Sequence, residues 1–194
     1  MARNRTRHDA AAGWTRLGTL PAAAFTLVAL NGLYLALVAF GNITDFDTNW
    51  AFVQHVLAMG TTNFGAPEGT NLDPDVMWRA IGNETIQRSV YLAIIAWEAV
   101  TAALLLTAVV IAIGARRRND GYRKARSLAT IGLVMLVLLF FGGFIVIGGE
   151  WFQMWKSSAW NGLDPAFRNS VLALVTLVLL HLPSPHWAPP QTDA

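Results

Sequence analysis

Four long apolar runs, at about residues 20–40, 90–115, 128–149 and 167–182, are separated by stretches of very different polarity. Each run is close to the roughly 20 residues an α-helix needs to cross the hydrocarbon core of a bilayer. The first is too long for the core of a cleavable signal peptide, and no small-residue cleavage site follows it. Pro183 ends the fourth. The pattern predicts an all-α fold, a membrane four-helix bundle formed as one domain. The flanking segments are an arm at 1–19, a long connection at 41–89 and a Pro-rich tail at 183–194. The tail is expected to be disordered.

The long connection has a pattern of its own. Between Thr48 and Met59 the apolar residues Ala51, Phe52, Val56 and Met59 recur at helical spacing, which predicts a short amphipathic helix lying on the membrane surface. Thr61 to Pro74 is rich in Gly, Pro, Thr and Asn and reads as a loop. Asp73-Pro74-Asp75 then resembles the start of a second short helix through Met77, Trp78 and Ile81.

Charge sets the orientation. Arg3, Arg5, Arg7 and Arg16 lie in the arm, and six basic residues (Arg116, Arg117, Arg118, Arg123, Lys124, Arg126) lie between the second and third runs. The other two connections hold only Arg79, Arg88, Lys156 and Arg168. The excess of cations on cytoplasmic loops places both termini inside and the 41–89 connection outside. The expected setting is a bacterial inner (plasma) membrane, with the lipid bilayer as the first partner. Only 13% of the 194 residues are charged, against about a quarter in a soluble domain. The basic residues flank apolar runs, so the high pI reflects topology, and no nucleic-acid partner is expected. The sequence has no cysteine, which excludes disulfides and thiolate chemistry.

Glu98 is the most informative polar residue, because a carboxylate inside a span costs several kcal/mol unless it is paired, hydrated or protonated. It reads either as a group that handles protons or accepts a hydrogen bond from a quinone head group, or as a structural carboxyl bonded to Asn31 or to an outer-loop side chain. Trp97 precedes it. Glu150, Trp151 and Trp155 form a polar–aromatic cluster after the third span, and aromatic residues of this kind also form interfacial belts. On the inner face the alternative set is His181, Arg126, Ser127 and Tyr122. Asn31 is expected to bond between helices, and Gly142 and Gly143 to allow close helix packing. His55 and His181 belong to opposite leaflets and cannot share one haem, so haem is not expected. The spacing of His and acidic residues carries no metal signature, and no phosphate loop, nucleophile elbow or dinucleotide fingerprint is present. No self-contained active site is expected.

Several strings occur together: Asn42-Ile43-Thr44-Asp45, Phe52-Val53-Gln54-His55-Val56-Leu57, Met77-Trp78-Arg79-Ala80-Ile81, Glu98-Ala99, Gly148-Gly149-Glu150-Trp151-Phe152, Met154-Trp155 and Trp160-Asn161-Gly162. In combination the chain resembles a bacterial family of predicted small integral membrane proteins of unknown function. The resemblance implies four helices and a structured outer connection. A further resemblance is to a succinate dehydrogenase membrane-anchor subunit of actinobacterial type. It implies a non-catalytic anchor or accessory subunit of a quinone-linked respiratory complex, held with other membrane and peripheral subunits in a hetero-oligomer. Any quinone would then sit at a subunit interface, with no cofactor bound by this chain alone. Two other functions fit the residues: a stand-alone small transporter or proton-handling protein using Glu98, and an envelope protein binding through its outer loop.

Overall fold

The computed structural model describes residues 16–118 and 121–188. Its regular elements are all helices among the described residues. Helix α1 runs Leu20–Thr44, α2 Phe46–Ala58, α3 Glu84–Arg118, α4 Arg123–Val137 with a continuation Leu138–Trp151, and α5 Leu163–His181. Four of these, counting α4 and its continuation as one, are long and apolar enough to cross a membrane. They turn most of their apolar side chains outward, as lipid-facing helices do: Leu37, Val110 and Val178 are each at least 60% exposed. Each helix extends past the run read from sequence. Thr44, Glu84, Arg123 and Leu163 are polar-flanked or polar ends that hydropathy alone leaves in the connections.

Helices in lipid gain nothing from hiding apolar surface from one another, so association rests on close packing and hydrogen bonds. Close packing here centres on Leu105 of α3, which is fully buried. A Cβ added to Gly32 of α1 would lie 3.0 Å from Leu105 Cβ, and one added to Gly132 of α4 would lie 2.6 Å from Leu105 Cδ2. One leucine is thus clasped between two glycines of neighbouring helices. Asn31, one residue from that contact, donates to Thr176 Oγ1 of α5 at 3.1 Å and to Leu27 O at 2.9 Å. The glycines expected to serve packing do not. A Cβ on Gly142 meets nothing within 4 Å, and one on Gly143 meets only Leu138 O of its own helix. The continuation Leu138–Trp151, which contains both, is wound as a π-helix. It closes with Phe152 N donating to Ile147 O, five residues back, at 3.0 Å. Such wide turns are rare and concentrate at functional places.

The two connections on the side opposite the basic loop fold together as a cap. Helix α2 buries Trp50, Val53 and Leu57 against Tyr91 and Ile95 of α3. Phe52 and Val56, from the face the spacing predicts, also pack against that cluster but are only partly buried, so the helix docks on protein through both sets. Met59 ends it in the left-handed conformation, fully buried. The expected second helix is a single 3-10 turn, Met77–Arg79. Links to the third connection include Phe64 N to Lys156 O at 2.9 Å and Thr61 Oγ1 with Ser157 Oγ at 2.9 Å. Lys156 Nζ also lies 3.7 Å from Asp73 Oδ2.

At the basic end, the tail does not match the expected disorder as far as residue 188. Trp187 packs edge-on to Phe25 and Tyr122, and its indole donates to Leu182 O at 2.8 Å. Residues 189–194 and the arginines Arg3, Arg5 and Arg7 lie outside the described residues.

Candidate functional site

Helix α3 is the axis of the site. Glu98 stands fourteen residues into it, roughly 21 Å from its first residue at ~1.5 Å per residue. Yet Glu98 is level with Asn42, two residues before the end of α1. The first three and a half turns of α3 therefore rise beyond the end of α1, and α2 folds back against them. Glu98 sits where the bundle meets the cap, and it is only 4% exposed.

Asn42 Nδ2 donates to Glu98 Oε2 at 2.8 Å, and Asn49 Nδ2 of α2 donates to Asn42 Oδ1 at 2.6 Å. The chain Asn49–Asn42–Glu98 ties three helices by relayed hydrogen bonds. The partner of Glu98 is therefore not Asn31 but Asn42, a residue the hydropathy pattern assigns to the outer connection. Tyr91, two turns toward the cap on the same face of α3, is buried among Phe46 and Trp50, with ring centroids 4.7 and 6.3 Å away. Its hydroxyl has no hydrogen-bond partner among the described residues.

Trp97 and Glu98 diverge, as adjacent helical residues must. The Trp97 indole turns to α4 and donates to Met135 O at 2.9 Å. Glu150 and Trp151 belong to a separate cleft of about 570 Å³, lined with Arg79, Val146, Ile147 and Phe152. Trp155 is elsewhere in the cap, edge-on to Phe64. The five residues expected to share one pocket thus occupy four places. The inner-face set is also divided. Tyr122 stacks on Phe25, and Arg126 donates from Nε to Leu180 O at 3.0 Å while lying 4.5 Å above Trp187. His181 Nε2 meets Thr130 Oγ1 at 3.0 Å, and Ser127 is exposed. This cluster fastens the tail turn to α4 and α5.

A pocket of about 260 Å³ that the sequence did not disclose lies between α2, α3 and the π-helical part of α4. Phe52, Val56, Ile94, Phe144, Gly148 and Met154 are among its walls, which are almost wholly apolar. Phe52 and Phe144 stack across it with centroids 6.1 Å apart. Two glycines make room for it: Gly143 carries no side chain into the space, and a Cβ added to Gly148 would lie 3.5 Å from the Met154 methyl. The paired glycines were legible in sequence, but their service to a pocket depends on the π winding, for which no sequence signal exists. His55 lies beside this region, stacked on Trp160 with centroids 4.3 Å apart and with Nε2 3.7 Å from Glu68 Oε2. Among the described residues, no group of three or more His, Asp or Glu stands together as a metal site.

A bundle of four membrane-length helices with a folded cap over one end defines a multi-pass integral membrane protein. Residues 20–183 match the family of predicted small integral membrane proteins designated DUF2165, and the chain belongs to that family. Neither a curated protein nor a solved structure matches it.

Proposed function

We propose that the protein is a non-catalytic accessory protein of the bacterial plasma membrane that holds the apolar chain of an amphiphilic lipid in the outer leaflet. The observation that carries this reading is the pocket between α2, α3 and the π-helical segment. It is apolar and concave, the character expected of a site for a hydrocarbon or isoprenoid chain. Its volume is that of part of a chain, not of a whole lipid.

A respiratory quinone is one member of this ligand class, so the quinone-linked anchor subunit is the narrower form of the proposal. The pocket walls have few polar groups, so they suit the tail of a quinone and not its head. The head would lie at the mouth, toward Trp151 and Arg79. Other subunits of a hetero-oligomer would supply flavin and iron–sulfur chemistry. A second reading, proton handling, draws support from the buried Glu98 relay. That relay is closed by two asparagines, which favours a structural role.

The test is purification of the full chain from its native membrane in mild detergent, with mass spectrometry of retained lipids and proteins. Wild type should retain a lipid that Gly143→Leu loses, the leucine filling the pocket while the melting temperature stays unchanged. Retention unaffected by the leucine would refute the pocket. Fixed-ratio recovery of flavoprotein and iron–sulfur subunits would support the anchor form, and recovery without them would remove it.

A further inference from the structure

The second cleft at the cap end contains a cation with a donor to spare. Arg79 closes the 3-10 turn Met77–Arg79 and is half-buried. Its guanidinium lies 5.5 Å from the Trp78 ring centroid and 5.2 Å from that of Trp151, and the two indoles meet edge-on at 87°. One arm, Nη1, donates to Trp151 O over a long 3.4 Å. The Nε–H is shielded from water yet has no partner among the described residues. Among the described residues no carboxylate lies within 4.0 Å of Arg79. Leaving a buried charged donor unmatched costs more than an ordinary missing hydrogen bond. The planar fork suits a two-oxygen anion.

The surroundings narrow the anion's source. The cleft floor is Val146, Ile147 and Phe152, and the first two are about half exposed on the lipid-facing side of α4. Trp78, 69% exposed, and Trp151 flank the cation as tryptophans flank a membrane–water boundary. A cation over an apolar floor at that depth matches a phosphate joined to acyl chains. It matches a soluble anion poorly, because the floor would then stay unfilled. Ile147 and Phe152 also wall the apolar pocket, so the two spaces are neighbours along one molecule's length.

We propose that Arg79, between Trp78 and Trp151, binds the phosphate of an anionic phospholipid in the cap-side leaflet. This deepens the lipid-binding reading by naming the head group, and rests on it only for where the chain goes. Glu150 shares the cleft rim and opposes the anion. It therefore weakens the site to a reversible one.

The probe is native mass spectrometry of the full chain released from nanodiscs of phosphatidylcholine with a minor share of phosphatidylglycerol. Both lipids carry the phosphate, but choline adds an ammonium that Arg79 repels, so wild type should retain phosphatidylglycerol over phosphatidylcholine by about tenfold relative to their supply. Arg79→Gln should abolish the preference. Arg79→Lys should keep part of it, having the charge without the fork. Glu150→Gln should raise it, and keeps the test decisive if Arg79→Gln does not fold. Equal retention of both lipids by wild type, an unchanged preference in Arg79→Gln, or loss of the preference in excess inorganic phosphate would overturn the proposal. Gly143→Leu separates the two ideas. A preference that survives the leucine with undiminished lipid retention upholds Arg79 and removes the chain pocket. Retention that falls with the leucine but never distinguishes the head groups does the reverse.

Discussion

Replacing Asn42 by alanine strikes the joint between bundle and cap. The change removes the 2.8 Å bond to Glu98 and leaves Asn49 without its 2.6 Å acceptor. Hydrogen bonds between membrane helices average only about 0.6 kcal/mol, with a maximum near 1.7. The larger loss is the orphaned carboxyl, buried at 4% exposure, for which about 1–3 kcal/mol is appropriate. Together these give a destabilisation of about 2–3 kcal/mol for Asn42→Ala. For a chain of this size that lowers the melting temperature by about 4–12 °C. Glu98→Leu in the Asn42→Ala background should recover part of the loss, because removing both partners leaves nothing unsatisfied at the pair. The assay is thermal unfolding in mild detergent followed by tryptophan fluorescence, run as a double-mutant cycle over Asn42 and Glu98. A coupling energy near zero, or a melting temperature unmoved by Asn42→Ala, would refute the claim that this relay holds the cap to the bundle.

Three further outcomes follow from named contacts. Gly132→Val should cost about 1–3 kcal/mol by overpacking against the enclosed Leu105, read as a lowered melting temperature, while Gly142→Val, in open space, should cost far less. Trp187→Ala should release the tail turn, seen as faster proteolysis after Leu182, since the indole holds Leu182 O and covers Phe25. Because the protein has no cysteine, single-cysteine labelling is clean. Thr70→Cys should react from outside intact cells and Arg117→Cys only after permeabilisation, and the reverse pattern would invert the orientation read from the basic residues.

The four spans were legible because lipid demands long apolar runs, and a run near 20 residues has few other meanings. Their ends were not. Glu84 to Ser89 and Leu163 to Ala166 are polar enough, or close enough to polar residues, to resemble connections, yet the helices run through them. Glu98 stood out at once as a charge in an apolar run. Its partner Asn42 did not, since a residue at a span's end looks the same whether it faces water or a neighbouring helix. The glycine contacts were misread for a related reason. Gly142 and Gly143 look like a packing groove in an α-helix, but in the π-wound segment a Cβ on either would touch no neighbouring helix, while Gly32 and Gly132, isolated in sequence, meet across Leu105. Arg79 was visible in sequence as a residue of the outer connection and of the Met77–Ile81 string. What makes it chemically notable is the pairing of Trp78 with Trp151, 73 positions later, and pairing at that distance is a property of the fold alone.

The most direct measurement is photo-crosslinking with a lipid bearing a diazirine in its acyl chain, applied to the full chain in native-composition membranes and mapped by peptide mass spectrometry. If the pocket holds a chain, labels should concentrate on Phe52, Val56, Phe144 and Met154, above the level on openly lipid-facing residues such as Leu37 and Val178. Labels spread over those exposed residues, with the four pocket residues spared, would contradict the account.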